Sequence, residues 1–153
     1  MTEPKVSQKT LPILLEVPAT LAHRSVVLRT VSAACKLAVG SGTSKQNLED
    51  LRIGVVTAVG EAFNNVAIHG YEGRDPGRMS VLLYSVGDVL HVELKDDSQP
   101  FDLQAIKDPT LEDLPESGLG VYLIRTLMDR VEYLAGPPNT LKLSKRIARD
   151  IEK

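Results

Sequence analysis

The segment TSKQNLEDLRIGVVTAVGEAFNNVAIHGY, Thr43 to Tyr71, constrains the fold more than any other part of the chain. Leu48, Leu51, Val55, Ala58, Val59, Ala62 and Val66 recur at helical spacing, which predicts a long helix with one buried stripe. Thr43 followed three residues later by Gln46 is a capping-box pattern and predicts its start. The Gly/Asp/Pro-rich run HGYEGRDPG predicts the loop that ends it.

Inside that apolar segment Glu61, Asn65 and His69 stand four residues apart. At about 100° per residue, Glu61 and Asn65 fall one turn apart at the edge of the stripe, with His69 further into it. Polar groups bordering a core are expensive unless they are satisfied or useful. Spacing alone leaves two readings open: a rim salt bridge and a backbone cap, or the wall of a cleft. It does exclude the H-E-x-x-H pattern of zinc proteases, and with one Cys and three His the chain is too poor in ligands for a structural zinc site.

Other elements follow from periodicity. LPILLEVP reads as a short buried strand ended by Pro18, and ATLAHRSVVLRTVSAACKLAVG as an amphipathic helix closed by Gly40 and Gly42. RMSVLLYSV and VLHVELKDD are two strands joined by a turn at Gly87 and Asp88. The Pro- and acid-rich stretch from Ser98 to Gly118 reads as an irregular loop, and loops of that length are usually functional. LGVYLIRTLMDR is helical, with Leu123, Ile124, Leu127, Met128 and Val131 on one side, and VEYLAG and TLKLSKRI form a last strand pair with a charged tail. The order β-α-α-β-β-(loop)-α-β-β predicts an α+β fold, a two-layer sandwich with the helices on one face of a single sheet. Residues 1–153 are expected to form one domain.

The net charge of −2 offers no basic excess for nucleic acid. Cys35 is alone among small apolar residues, so it reads as a buried side chain in a chain without disulfides, which suits a reducing cytosol. No apolar run reaches the ~18 residues of a membrane span, and MTEPKVSQKT lacks the core of a signal peptide. A cytoplasmic protein is expected.

Two further motifs carry chemistry. In LKDDSQPFD, Asp96 and Asp97 lie where a strand runs out, a place where carboxylates meet ligands and could accept from an exocyclic amine. In ESGLGVYLIRTL a Gly-x-Gly enters a helix, leaving backbone N–H groups at a positive dipole end suited to phosphate. Each has a purely conformational or solvated reading as well.

In this order, the three motifs resemble the GHKL ATPase superfamily (Bergerat fold, with a mixed, mainly antiparallel sheet). Within it the chain is similar to the anti-sigma-factor serine kinases of the RsbW and SpoIIAB type. The resemblance rests on EAFNNVAIHGY, LKDDSQPFD and SGLGVYLIRTLMDRVEY and covers nearly the whole chain. It implies ATP and Mg²⁺ as cofactors. Position by position, it implies Asn65 as the Mg²⁺ ligand, Glu61 as general base and Asp96 as acceptor of the adenine amine. Gly118, Leu119 and Gly120 would cradle phosphate, and Thr140 would match the threonine that assists the aspartate. Ser98 departs from the pattern, standing where the family has glycine, and Ser117 replaces the first glycine of a pair. Leu103 to Glu116 would be a short ATP lid. The implied function is a serine-protein kinase that phosphorylates a STAS-type anti-anti-sigma partner and sequesters a sigma factor, and the resemblance also admits a homodimer. The alternatives are an ATP-binding anti-sigma module with little or no kinase activity and, more distantly, an interaction domain without nucleotide.

Overall fold

The computed structural model describes residues 10–100 and 119–149. Strand β1 (Thr10–Pro18) leads through a 3₁₀ turn (Leu21–His23) to helix α1 (Arg24–Val39), and α2 (Lys45–Asn64) runs on into a π-helical turn (Asn65–Gly70). Strands β2 (Arg78–Val86) and β3 (Val89–Asp96), helix α3 (Leu119–Leu127), and strands β4 (Arg130–Leu134) and β5 (Asn139–Arg146) complete the expected order. The five strands form one sheet in the order β1-β2-β3-β5-β4. Every neighbouring pair is antiparallel, so the sheet is not mixed.

Alternation decides which side chains face the helices. Met79, Val81 and Leu83 of β2, Leu90, Val92 and Leu94 of β3, and Leu141 and Leu143 of β5 are buried on one face of the sheet. Val27, Val31, Ala34 and Cys35 of α1 and Leu51, Val55, Ala58, Val59, Ala62 and Phe63 of α2 close over them. The same parity carries Asp96 and Asn139 to the helix side at one end of the sheet, and the two residues sit opposite each other in register. Cys35 is part of this core, and burial pushes its thiol up to about 12, which leaves it inert.

Beyond the all-antiparallel sheet, and Thr140, which is described with the site, four expectations change in detail. The first strand is not buried on both faces: among the described residues β1 is an edge strand paired only with β2, its burial alternates, and Leu14 is 64% exposed. Pro12 and Pro18 are tolerated there because an edge strand has a side with no ladder partner. The cap of α2 is Ser44, not Thr43: Ser44 Oγ accepts from Asn47 N at 3.1 Å, while Gln46 pairs with Asp50 instead of closing a box. On α3 the buried positions are Val121 and Ile124, continued by Met128; Leu123 and Leu127 are only half-buried and Val131 belongs to β4. The fourth concerns His69, described with the site. The turn at Gly87 is as expected, with φ +57°.

Among the described residues no helix is long and apolar enough to cross a membrane. Gly118, Ser117 and the segment from Leu103 to Glu116 lie outside the described residues.

Because Ser44 satisfies an otherwise orphaned N–H at the start of the longest helix, Ser44→Ala is expected to lower stability by about 1 kcal/mol. Urea denaturation measures it, with Thr43→Ala as the comparison. A larger loss from Thr43→Ala would return the cap to that residue.

Candidate functional site

The site begins where α2 and α3 pack closely. Gly54 of α2 faces the end of α3, where an added Cβ would lie 3.7 Å from the Leu127 carbonyl oxygen. Two turns further along α2, Glu61 faces the start of α3: a Cβ on Gly120 would lie 2.9 Å from Glu61 Oε2 and 3.7 Å from Asn65 Oδ1. The helices therefore run antiparallel. A side chain at position 120 would displace the Glu61 carboxylate from where it lies against the first turn of α3. Glu61 and Asn65 are both half-buried, and Leu119 is 40% exposed. The expected edge-of-stripe placement of Glu61 and Asn65 holds, and Gly120 joins them.

Asn65 is also where the α-helix changes to π geometry. Its backbone N–H still reaches the Ala62 and Glu61 carbonyls, and the next residues to Gly70 follow the wider turn. A π turn advances fewer degrees per residue, so side chains after Asn65 depart from the α-helical wheel. His69 consequently leaves the apolar stripe: its side chain is 64% exposed and faces Glu72 at 3.5 Å. Val66 and Gly70 are the buried residues of the turn.

The turn ends against the second cluster. A Cβ on Gly70 would lie 2.5 Å from Ser98 Cβ, and Gln99 N donates to the Gly70 carbonyl at 3.0 Å. Beside it Asp96, 8% exposed, ends β3. Its Oδ1 accepts from Ser98 N at 2.9 Å, Ser98 Oγ at 2.5 Å and Asn139 Nδ2 at 3.1 Å. Asn139 in turn donates to the Ser98 carbonyl at 2.7 Å and accepts from Gly136 N at 2.9 Å. A buried carboxylate needs such donors, because without them its desolvation would oppose folding.

Thr140 is not part of this cluster. It pairs in register with Lys95 and, by alternation, takes the opposite face of the sheet from Asp96; among the described residues no hydrogen bond joins the two. Asn139 holds the aspartate instead. The sequence did contain the signal. Asn139 shares the parity of Leu141 and Leu143, as Asp96 shares that of Val92 and Leu94.

Asp97 points elsewhere. It is exposed, and its Oδ1 accepts from the Tyr71 hydroxyl at 2.5 Å, while the Arg74 guanidinium lies 5.2 Å from the Tyr71 ring centroid. Burial, reinforced by Asp97, raises the Tyr71 phenol above its ordinary range, so it remains a donor. Asp97 thus fastens the loop after the π turn to the end of β3.

No group of three or more His, Cys, Asp and Glu side chains among the described residues could hold a metal by itself. A hard cation beside Asn65 would therefore draw most of its oxygen ligands from water and from a bound anion, as Mg²⁺ does at nucleotide sites.

Residues 17–145 match the family described as the histidine kinase-like ATPase domain. The chain is 33% identical over 146 residues to the serine-protein kinase RsbW of Halalkalibacterium halodurans, covering 90% of this chain and 85% of that protein. It is 28% identical to the RsbW serine-protein kinase of Bacillus cereus, covering 90% and 86%. That of Bacillus mycoides is 27% identical over the same shares.

Gly120→Val would drive a branched side chain into Glu61. ATP affinity is expected to fall at least about tenfold, the scale of a 1.4 kcal/mol overpacking penalty, with the circular dichroism spectrum unchanged. Wild-type affinity in this variant would detach Gly120 from the nucleotide site.

Proposed function

As the chain belongs to the histidine kinase-like ATPase family, we propose that it is an ATP- and Mg²⁺-dependent serine-protein kinase of the RsbW type. The observation that carries this reading is the placement of Glu61 and Asn65, a turn apart on α2, against Gly120 at the start of α3. A carboxylate, a neutral amide oxygen and a helix N-terminus are the three things phosphoryl transfer asks of a protein: a base, a metal ligand and an anion cradle.

In this reading Asp96 accepts the six-amino group of adenine. The backbone N–H groups of Gly118, Leu119 and Gly120 hold the phosphates. Asn65 Oδ1 would be the protein's ligand to Mg²⁺, and the chemistry that cation would supply is to offset phosphate charge. Glu61 accepts the proton of an incoming serine hydroxyl as its oxygen bonds to the γ-phosphorus, the bond to the β-bridging oxygen breaks and ADP leaves. Positioning and charge complementarity supply most of the acceleration, since little covalent work falls to the protein. One domain serves the whole chain.

The serine is that of a STAS-type anti-anti-sigma protein, and the second partner is a sigma factor that the kinase sequesters in the cytoplasm. The relatives named serine-protein kinase RsbW support this assignment.

Glu61→Gln separates the base from the binding site. ATP affinity is expected to change by less than about threefold, and single-turnover transfer from labelled ATP to the partner serine to fall by roughly a hundredfold or more. Full transfer by the variant would remove Glu61 from the chemistry. A wild type that binds ATP and transfers to no STAS-type partner would instead make the chain an anti-sigma module that only binds.

A further inference from the structure

We infer that Ser98 and Asn139 are positioning residues that set base selectivity by immobilising Asp96, an inference that rests on the nucleotide reading of this site. The hydrogen bonds described for Asp96 all end on one oxygen. Oδ1 receives Ser98 N, Ser98 Oγ and Asn139 Nδ2, at 2.9, 2.5 and 3.1 Å. An oxygen of a carboxylate offers about two lone-pair directions, so three protein donors leave Oδ1 nothing for a ligand. Recognition then falls to Oδ2.

The donors are themselves fixed. Asn139 is held at both ends of its amide, accepting from Gly136 N at 2.9 Å and donating to the Ser98 carbonyl at 2.7 Å. Ser98 is wedged against Gly70, where even a methyl group would collide with its Cβ at 2.5 Å. Turning the carboxylate would break bonds to two separate parts of the chain, the end of β3 and the start of β5. Oδ2 is therefore an acceptor held in one position and orientation. A six-amino purine satisfies it. A six-oxo purine sets a carbonyl oxygen against it, and a carboxylate held this way cannot swing aside to relieve the mismatch. The Ser98 hydroxyl thus adds to the clamp a donor that a residue without a side chain would lack.

The two variants remove different donors. Ser98→Ala deletes the hydroxyl and keeps the backbone N–H. Asn139→Asp keeps an oxygen for Gly136 N but replaces the Nδ2 donor by an acceptor facing Asp96 and the Ser98 carbonyl. Dissociation constants are measured for ATP and for inosine triphosphate, which differs at the six-position, with thermal unfolding of each variant in parallel. The wild type is expected to prefer ATP by roughly ten- to a hundredfold, the usual consequence of a mismatched buried polar pair. Each variant is expected to lower that ratio about fivefold or more. A merely structural role would weaken both nucleotides together and leave the ratio alone, so an unchanged ratio in either variant overturns the inference. If Asn139→Asp does not fold, the Ser98→Ala ratio decides. A wild type that binds both nucleotides equally removes Asp96 from base recognition and the clamp with it. A wild type that binds neither refutes the nucleotide reading itself. Preference for ATP retained by the wild type and both variants refutes only the clamp.

Discussion

The close antiparallel contact between α2 and α3 is the constraint on which the rest of the site depends. Glycine lies near both ends of it: Gly54 faces the last residue of α3 at ordinary contact distance, and Gly120 faces the carboxylate end of Glu61. Between them Val55, Ala58, Val59, Ala62 and Ile124 belong to one buried cluster, so the helix pair is anchored by the core while its polar end stays half-exposed. Apolar burial of this kind is worth roughly 25 cal/mol per Å², and it carries the energetic burden of holding Glu61 and Asn65 in place. The polar residues need contribute little to stability and are free to serve chemistry.

A second constraint links the helix layer to the sheet. The π turn begins at Asn65 and ends at Gly70, which is pressed on Ser98, and Tyr71 then ties to Asp97. Two clusters on different elements are thereby spaced by one short, bonded segment. Asp96 is buried with donors from β3's own continuation and from β5, and removing a donor would leave a desolvated polar group short of partners.

The order of elements was legible because helix and strand periods differ over long runs, and the sheet-and-helix layering followed from that order. The departures have a common origin in interactions that local pattern does not encode. The LPILL run is as apolar as an interior strand, yet it pairs on one side only, and strand order is set by contacts far along the chain. Thr43 and Ser44 are both good caps, and only the folded helix shows that Ser44 is the one that accepts from Asn47 N. His69 left the stripe because an α-helical wheel does not anticipate a π turn. Asn139 displaced Thr140 by one residue, the smallest slip possible and the one that exchanges faces of a sheet. The meeting of Glu61, Asn65 and Gly120 was legible only through the resemblance of three separated motifs, because no spacing rule brings residues of α2 and α3 together.

The central claim is that the polar end of the α2–α3 contact is a site for ATP with Mg²⁺, in which Asn65 supplies the protein's oxygen to the cation. Titration calorimetry of ATP against the wild type and Asn65→Ala, each with and without Mg²⁺, tests it most directly. The account predicts that Mg²⁺ tightens ATP binding to the wild type and that Asn65→Ala loses most of this gain while keeping its metal-free affinity. Equal affinities in all four combinations would contradict it.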